Sequence, residues 1–312
     1  MPGEVLSGLR LALPSSVSPP RTSELIHAGQ RLVYDEYGEG PQVVVLLHGL
    51  LLSRRMQAPV AEALAERGHR VVCLDLLGHG ASDRPRDMWR YSMSLFGEQT
   101  IALLDHLEVD RAVIGGTSLG ANAALEAAMH APERVRGLLV EMPVLDNALL
   151  GCALAFTPLL VGLTFGEPLA RLAAQGARLV PRGLSRLADV PLDALRQDPG
   201  PSAAVLQGLF FGRIAPPRSE RREIDAPALV IGHSRDPVHP FSDSGMLVSE
   251  LANGRLLRAS SLLELRLTPA RLMAEIGAFV DECFDSEPQA RRRATRAPAA
   301  RRGPARAGAA RR

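Results

Sequence analysis

Between the apolar run at 112–114 and an alanine-rich stretch over 119–130, the chain reads Gly116-Thr117-Ser118-Leu119-Gly120. A central serine with a glycine two residues to either side, leaving a β-type run and entering good helix formers, describes a sharp strand–turn–helix junction. Neighbouring strand and helix there leave no room for larger side chains. Such a turn lifts the serine hydroxyl above the sheet. It also places Ser118 at a helix N-terminus, where the dipole and free N–H groups favour developing negative charge. The plain alternative is a glycine-rich turn with no chemistry.

The runs at 43–47, 71–74, 112–114, 137–140 and 228–231 are each continuously apolar. That is the pattern of strands buried on both faces, as in a parallel sheet. Helical stretches over 50–67, 92–107 and 119–130 separate the first four. A short strand over 31–37 precedes them. A last strand near 256–259 and a helix over 268–284, with Thr268 as N-cap and Pro269 in its first turn, close the chain. The alternation predicts an α/β fold: a doubly wound, mostly parallel sheet flanked by helices. Residues 25–145 and 223–286 would form this core, and 146–222 a helical insertion acting as a lid over the C-terminal edge of the sheet, where ligands bind in such folds. Residues 1–24, rich in Ser and Pro, read as a loose arm.

Residues 147–166 carry no charge, and by length alone could span a membrane. The strands on either side belong to one sheet, however, and a single crossing would place them on opposite sides of the bilayer. Pro158 and three glycines also interrupt the stretch. An apolar lid over a small apolar substrate or ligand fits better, and no transmembrane segment is expected.

Charge is unevenly spread. All 36 basic residues are Arg, and nine of them fall in 288–312, which contains no acid. The remaining 27 face 34 carboxylates, so the body carries a net of −7. The arginines from Arg291 to Arg312 could touch nucleic acid or anionic lipid. A tail of Arg, Ala, Pro and Gly reads more simply as a solvated, disordered end over 287–312, and no nucleic-acid partner is expected. Cys73, Cys152 and Cys283 are odd in number and far apart, which suggests a reduced, cytoplasmic protein. No signal peptide is evident, since Arg10 interrupts the best apolar stretch of the first twenty residues. No metal-ligand spacing and no Lys-bearing phosphate loop occurs, so neither metal nor cofactor is expected.

His48-Gly49 closes the run 43–47. Acyl transfer needs two N–H donors for its oxyanion. Leu119, directly after the serine, would supply one, and Leu50, directly after His48-Gly49, the other. Asp75 and then Gly78-His79-Gly80-Ala81-Ser82 follow the next strand. In this order and at these intervals the pieces resemble the α/β-hydrolase family, in its serine-nucleophile branch, over roughly residues 31–284. The resemblance implies Ser118 as nucleophile, with an acid after the elbow and a histidine after the acid. Asp236, in the loop Gly232-His233-Ser234-Arg235-Asp236-Pro237-Val238-His239-Pro240, falls at the acid position. A loop aspartate capping the helix that begins at Phe241 is the alternative.

The family's histidine should lie within 259–268. No histidine occurs there. Glu264 and Arg266 stand in the region, read as an exposed ion pair, and the last histidine of the chain is His239. General-base help is worth roughly 10²–10⁴ in rate, so its source decides the function. His48 would support the oxyanion loop, and His79 and His233 read as structural or exposed. His239, three residues from Asp236, could put acid and base on one loop. It must reach from a strand two places away, roughly 10 Å. The expected activity is hydrolysis of an ester, thioester or amide of a small apolar substrate. Serine rather than aspartate at the elbow speaks against dehalogenase and epoxide-hydrolase chemistry. The rival is a non-catalytic binder that kept the pocket and lost the base.

Overall fold

Each central strand contributes side chains to two separate cores. Along the strand at 43–47, Val43, Val45 and Leu47 join one cluster and Val44 and Leu46 the other, because successive residues of a strand point to opposite faces. This explains the unbroken apolar runs. The computed structural model describes residues 18–182, 186–234, 236–261 and 264–285. The expected tail at 287–312 and the first seventeen residues of the expected arm lie outside them.

In chain order the elements are β1 (Arg21–His27), β2 (Gln30–Tyr37), β3 (Val43–Leu47), α1 (Ala58–Glu66), β4 (Arg70–Asp75), α2 (Met93–His106), β5 (Ala112–Thr117), α3 (Leu119–His130) and β6 (Val135–Glu141). Five helices follow: α4 (Leu149–Phe165), α5 (Glu167–Leu179), α6 (Arg186–Leu195), α7 (Pro199–Phe211) and α8 (Arg218–Arg221). The chain then returns through β7 (Ala228–His233), α9 (Phe241–Glu250), β8 (Gly254–Ala259), α10 (Glu264–Leu267) and α11 (Ala270–Asp285).

The eight strands form one sheet in the order β1-β2-β4-β3-β5-β6-β7-β8. From β4 to β8 every pairing is parallel, while β1 pairs with β2 and β2 with β4 antiparallel. Helices α2, α3 and α9 cover one face through Phe96, Leu103, Leu125 and Leu247. Helices α1 and α11 cover the other through Val60, Leu64, Leu272 and Ile276. The strand β1 corrects the reading of a loose arm through residue 24. Arg21 to Glu24 pair in register with Glu36 to Val33, and Arg21 bonds to Glu36 at 2.7 Å. No alternation marks this strand, because most of it is exposed at the sheet edge.

The five helices between β6 and β7 leave and rejoin adjacent strands, since Leu138 to Glu141 pair directly with Ala228 to Ile231. The stretch Asp146–Phe165 is long and apolar enough to cross a bilayer by length and composition. One crossing there would separate two hydrogen-bonded neighbours. Two buried side chains fix the ends of the excursion, Asp243 the start and Asn122 both. Asp243 at the start of α9 accepts the N–H groups of Leu145, Asn147 and Ala148 at 2.7–3.1 Å. Asn122 of α3 donates to the carbonyls of Val144 and Ile214 at 2.8 Å and accepts from Val144 N–H at 3.2 Å.

Candidate active site

Ser118 links β5 to α3 with φ +55° and ψ −110°, a conformation that costs an L-residue on the order of 1–3 kcal/mol. The surroundings enforce it. Its N–H donates to Glu141 O at 2.8 Å, and Asn122 N–H donates to its carbonyl at 3.0 Å. A Cβ on Gly116 would stand 2.6 Å from Leu47 O, and one on Gly120 would collide with the same carbonyl. The two glycines of the motif are therefore set by the approach of β3. On the other side, Gln57 Nε2 ties Leu47 O at 2.7 Å to Thr117 Oγ1 at 3.1 Å.

The structure brings together Ser118, Asp236 and His239. Ser118 Oγ lies 2.8 Å from His239 Nε2, and His239 Nδ1 lies 2.8 Å from Asp236 Oδ2. An ionised carboxylate only accepts, so Nδ1 carries the proton and Nε2 is left to accept from the serine. The other carboxylate oxygen, Oδ1, accepts the N–H groups of Val238 and His239 at 2.8 and 3.0 Å. The loop thus folds around its own acid. Burial opposes ionisation of Asp236, but the ring and backbone hydrogen bonds of His239 and the Val238 N–H together hold its carboxyl below the usual range. The α4 helix packs on this loop at Gly151, where a Cβ would meet Pro237 O at 2.8 Å.

Ser118 opens on a cavity of about 210 Å³ lined by Leu50, Leu119, Leu149, Phe156, Leu206 and Phe210, among others. Its walls come from the two expected oxyanion residues and from α4 and α7. The loop bearing Leu50 is a tight turn, closed by Leu52 N–H on Gly49 O at 3.1 Å, with Leu51 at φ +58°. Asp75 fixes the far side of that loop by accepting Arg54 N–H at 2.6 Å, and Arg54 Nε reaches Asp35 at 2.8 Å.

The remaining histidines are occupied elsewhere. His48 is fully buried. Its Nδ1 donates to Gly49 O at 2.8 Å and its Nε2 accepts Leu76 N–H at 3.1 Å, so it is neutral, and burial holds it below its ordinary pKa. The His79 ring lies beside it, centroids 4.7 Å apart and tilted by 47°, and is likewise pushed down by burial. His233 lies on β7 with Nδ1 on Ser261 O at 2.9 Å and Nε2 3.2 Å from Glu141.

Residues 259–268 do not hold the exposed ion pair read from the sequence. Glu264 is buried and takes the N–H and Oγ of Ser260 at 2.5 and 2.6 Å, with Arg271 at 2.7 Å. Arg266 turns inward to Glu141 at 3.1 Å. Glu141 also accepts from Thr117 Oγ1 at 2.5 Å, so a cluster of buried Glu141 and His233 with partly buried Arg266 braces the residue before Ser118. Burial disfavours its charge, but Arg266, His233 and Thr117 outweigh that and hold the carboxyl at about 2. His233 is raised above its ordinary value because Glu141 outweighs the effect of burial. Neither this cluster nor Asn122 and Asp243 stood out beforehand. A charged residue ending a buried strand, and a polar one on the Ser118 face of an alanine-rich helix, were the available signals.

The architecture and this site define one class. The chain has the α/β-hydrolase fold. A family model described as the alpha/beta hydrolase fold matches residues 42–180. Bifunctional epoxide hydrolase 2 of Sus scrofa is 35% identical over 131 residues, 40% of this chain and 23% of that protein. The 2-hydroxymuconate semialdehyde hydrolase of Pseudomonas putida is 33% identical over 156 residues, 47% of this chain and 53% of the relative. The chain therefore spans about a quarter to half the length of these curated relatives. Among solved structures, a hydrolase from Pseudomonas aeruginosa superposes with a TM-score of 0.69 at 24% identity, covering 83% of this chain and 98% of its own. The enol-lactonase of Burkholderia xenovorans does so at 0.68 and 22%, covering 83% and 100%.

Proposed function

We propose that this protein hydrolyses an ester, thioester or amide of a small apolar substrate through Ser118. The observation that carries the reading is the relay Ser118 Oγ–His239 Nε2–Asp236 Oδ2, 2.8 Å at each step, opening on an apolar cavity. Ser118 Oγ attacks the carbonyl carbon while its proton passes to His239 Nε2. Asp236 orients the ring and stabilises the imidazolium that forms. The N–H groups of Leu50 and Leu119 hold the oxyanion. Collapse breaks the bond to the leaving group, which takes the proton from His239. Water, deprotonated by the same nitrogen, then releases the acid from Ser118. The helices over 146–222 act as the lid, and their apolar contribution to the cavity selects the acyl group, since burying apolar surface is favourable by about 25 cal/mol per Å².

The alternative of a binder rested on the lack of a base, and the 2.8 Å contact of His239 Nε2 with Ser118 Oγ supports the hydrolase over it. The relatives include epoxide hydrolases, but a serine in the nucleophile position supports acyl transfer over epoxide opening. Three free cysteines suit a reducing compartment, and a cytoplasmic location is part of the proposal. Incubation with a fluorophosphonate probe tests it. One adduct, mapped to Ser118 by peptide mass and lost in Ser118→Ala, is expected. An unmodified wild-type protein would end the hydrolase reading.

A further inference from the structure

A second cleft, about 320 Å³ in volume, lies between the core and the helical insertion. It falls within the range usual for small-molecule sites, about 300–1,000 Å³. Its lining includes Arg54, Arg55 and Arg84 from loops of the core, and Arg178, Arg182 and Arg196 from the insertion. Among these described lining residues Asp193 is the one carboxylate.

The charges do not balance. Arg54 is committed to Asp35 and Asp75, two acids against one cation. Asp193 alone serves three guanidiniums: Arg196 at 2.9 Å, Arg182 at 3.4 Å and Arg55 at 3.9 Å. Arg178 is turned by its Nε onto the carbonyl of Arg196 at 2.9 Å. Arg84 donates to Ser202 Oγ at 3.0 Å, and its buried Nε has no partner. Asp198, which does not line the cleft, faces Arg86 at 3.6 Å and caps Gly200 N–H. Five cations against one acid, plus Arg54 against two, leave a net of +3 on the cleft. Burial holds the Arg84 guanidinium below its ordinary value, and Arg178 pushes in the same direction. Gathering like charges in a partly desolvated cleft is costly unless something of opposite sign completes it. Guanidinium forks match the paired oxygens of phosphate groups.

We infer that this cleft binds a small anion of the phosphate class, with Arg84 and Arg178 as its principal ligands, at a site separate from the Ser118 cavity. Three arginines of the core and three of the insertion face it, so the anion bridges the two parts. Gln197, on the wall of the cleft, donates to Leu51 O at 2.7 Å. Occupancy is thereby linked to the turn that carries Leu50. The link to catalysis rests on the hydrolase reading, whereas the binding does not.

The test is calorimetric titration of the full chain with inorganic pyrophosphate, without divalent cations, at moderate salt. Saturable binding at one site per chain is expected, weakened at least tenfold in Arg84→Gln and in Arg178→Gln, and unchanged in Ser118→Ala. Arg178 sits on an exposed helix, so Arg178→Gln decides the matter even if Arg84→Gln does not fold. Absence of saturable binding overturns the site. Binding that survives Arg178→Gln assigns the anion to arginines elsewhere and overturns it equally. Loss of binding in Ser118→Ala would show that the two cavities are not separate.

Discussion

At the scale of single residues, the proposed acid and base share one four-residue stretch, Asp236 to His239. The distance that made His239 a doubtful reach from its strand is closed by the two N–H bonds to Asp236 Oδ1, which curl the loop back toward Ser118. If His239 is the base, His239→Ala and Ser118→Ala should lower kcat on an activated ester by similar factors, at least about 10²-fold. A His239→Ala enzyme with wild-type turnover would remove the assignment. Strain at Ser118 makes a second prediction. Glycine accepts φ +55° freely, so Ser118→Gly should melt no lower than Ser118→Ala despite the usual cost of glycine, and up to about 1 kcal/mol more stably. A clear deficit in thermal unfolding would argue that the elbow is unstrained. The turn at Ser118 was legible because its glycines are dictated by backbone approach. The roles of Glu141 and Arg266 were not, because they depend on which side chains three separate strands and a late turn bring together.

At the scale of elements, the parallel strands were readable because both of their faces are buried, and β1 was not because most of it is exposed at the edge. The helix α4 shows how an insertion can both wall a cavity and hold a loop of the core. Its Gly151 touches the backbone of the acid–base loop. Gly151→Ala should push Pro237 outward and reduce kcat several-fold up to about 10²-fold, with little change in melting temperature. Unchanged kinetics would show that the loop yields without cost. The Glu141 cluster predicts a pH dependence. Its carboxyl is held at about 2, below the ordinary 4.5, so its stabilisation is present above about pH 4.5 and is lost as pH falls toward 2. The share owed to His233, raised above 6.5, is complete below that value and is lost as pH rises through the raised pKa. Glu141→Gln should therefore destabilise the fold by about 3–5 kcal/mol near pH 6, as breaking a buried ion pair does. The gap to wild type should narrow steadily in melts taken between pH 4.5 and 2.

At the scale of the whole molecule, the sheet, both cores and the relay are complete by Asp285. The arginine-rich stretch from 288 lacks the apolar residues needed to form a packed face, so truncation after Glu287 should leave the melting temperature within about a degree of wild type. A drop of several degrees would mean that the end of the chain packs on the body. The position of His239 carries a different consequence. The fold's usual order places a histidine after the acid, expected here within 259–268, which would tie the end of β8 to the chemistry. Here, on the proposed assignment, every reacting group has been laid down by residue 239. Strand β8 and helices α10 and α11 are left with architecture alone: they must fill space and match an edge, but no atom in them has to meet a substrate. Sequence drift and loop-length change are tolerated most readily in such a segment.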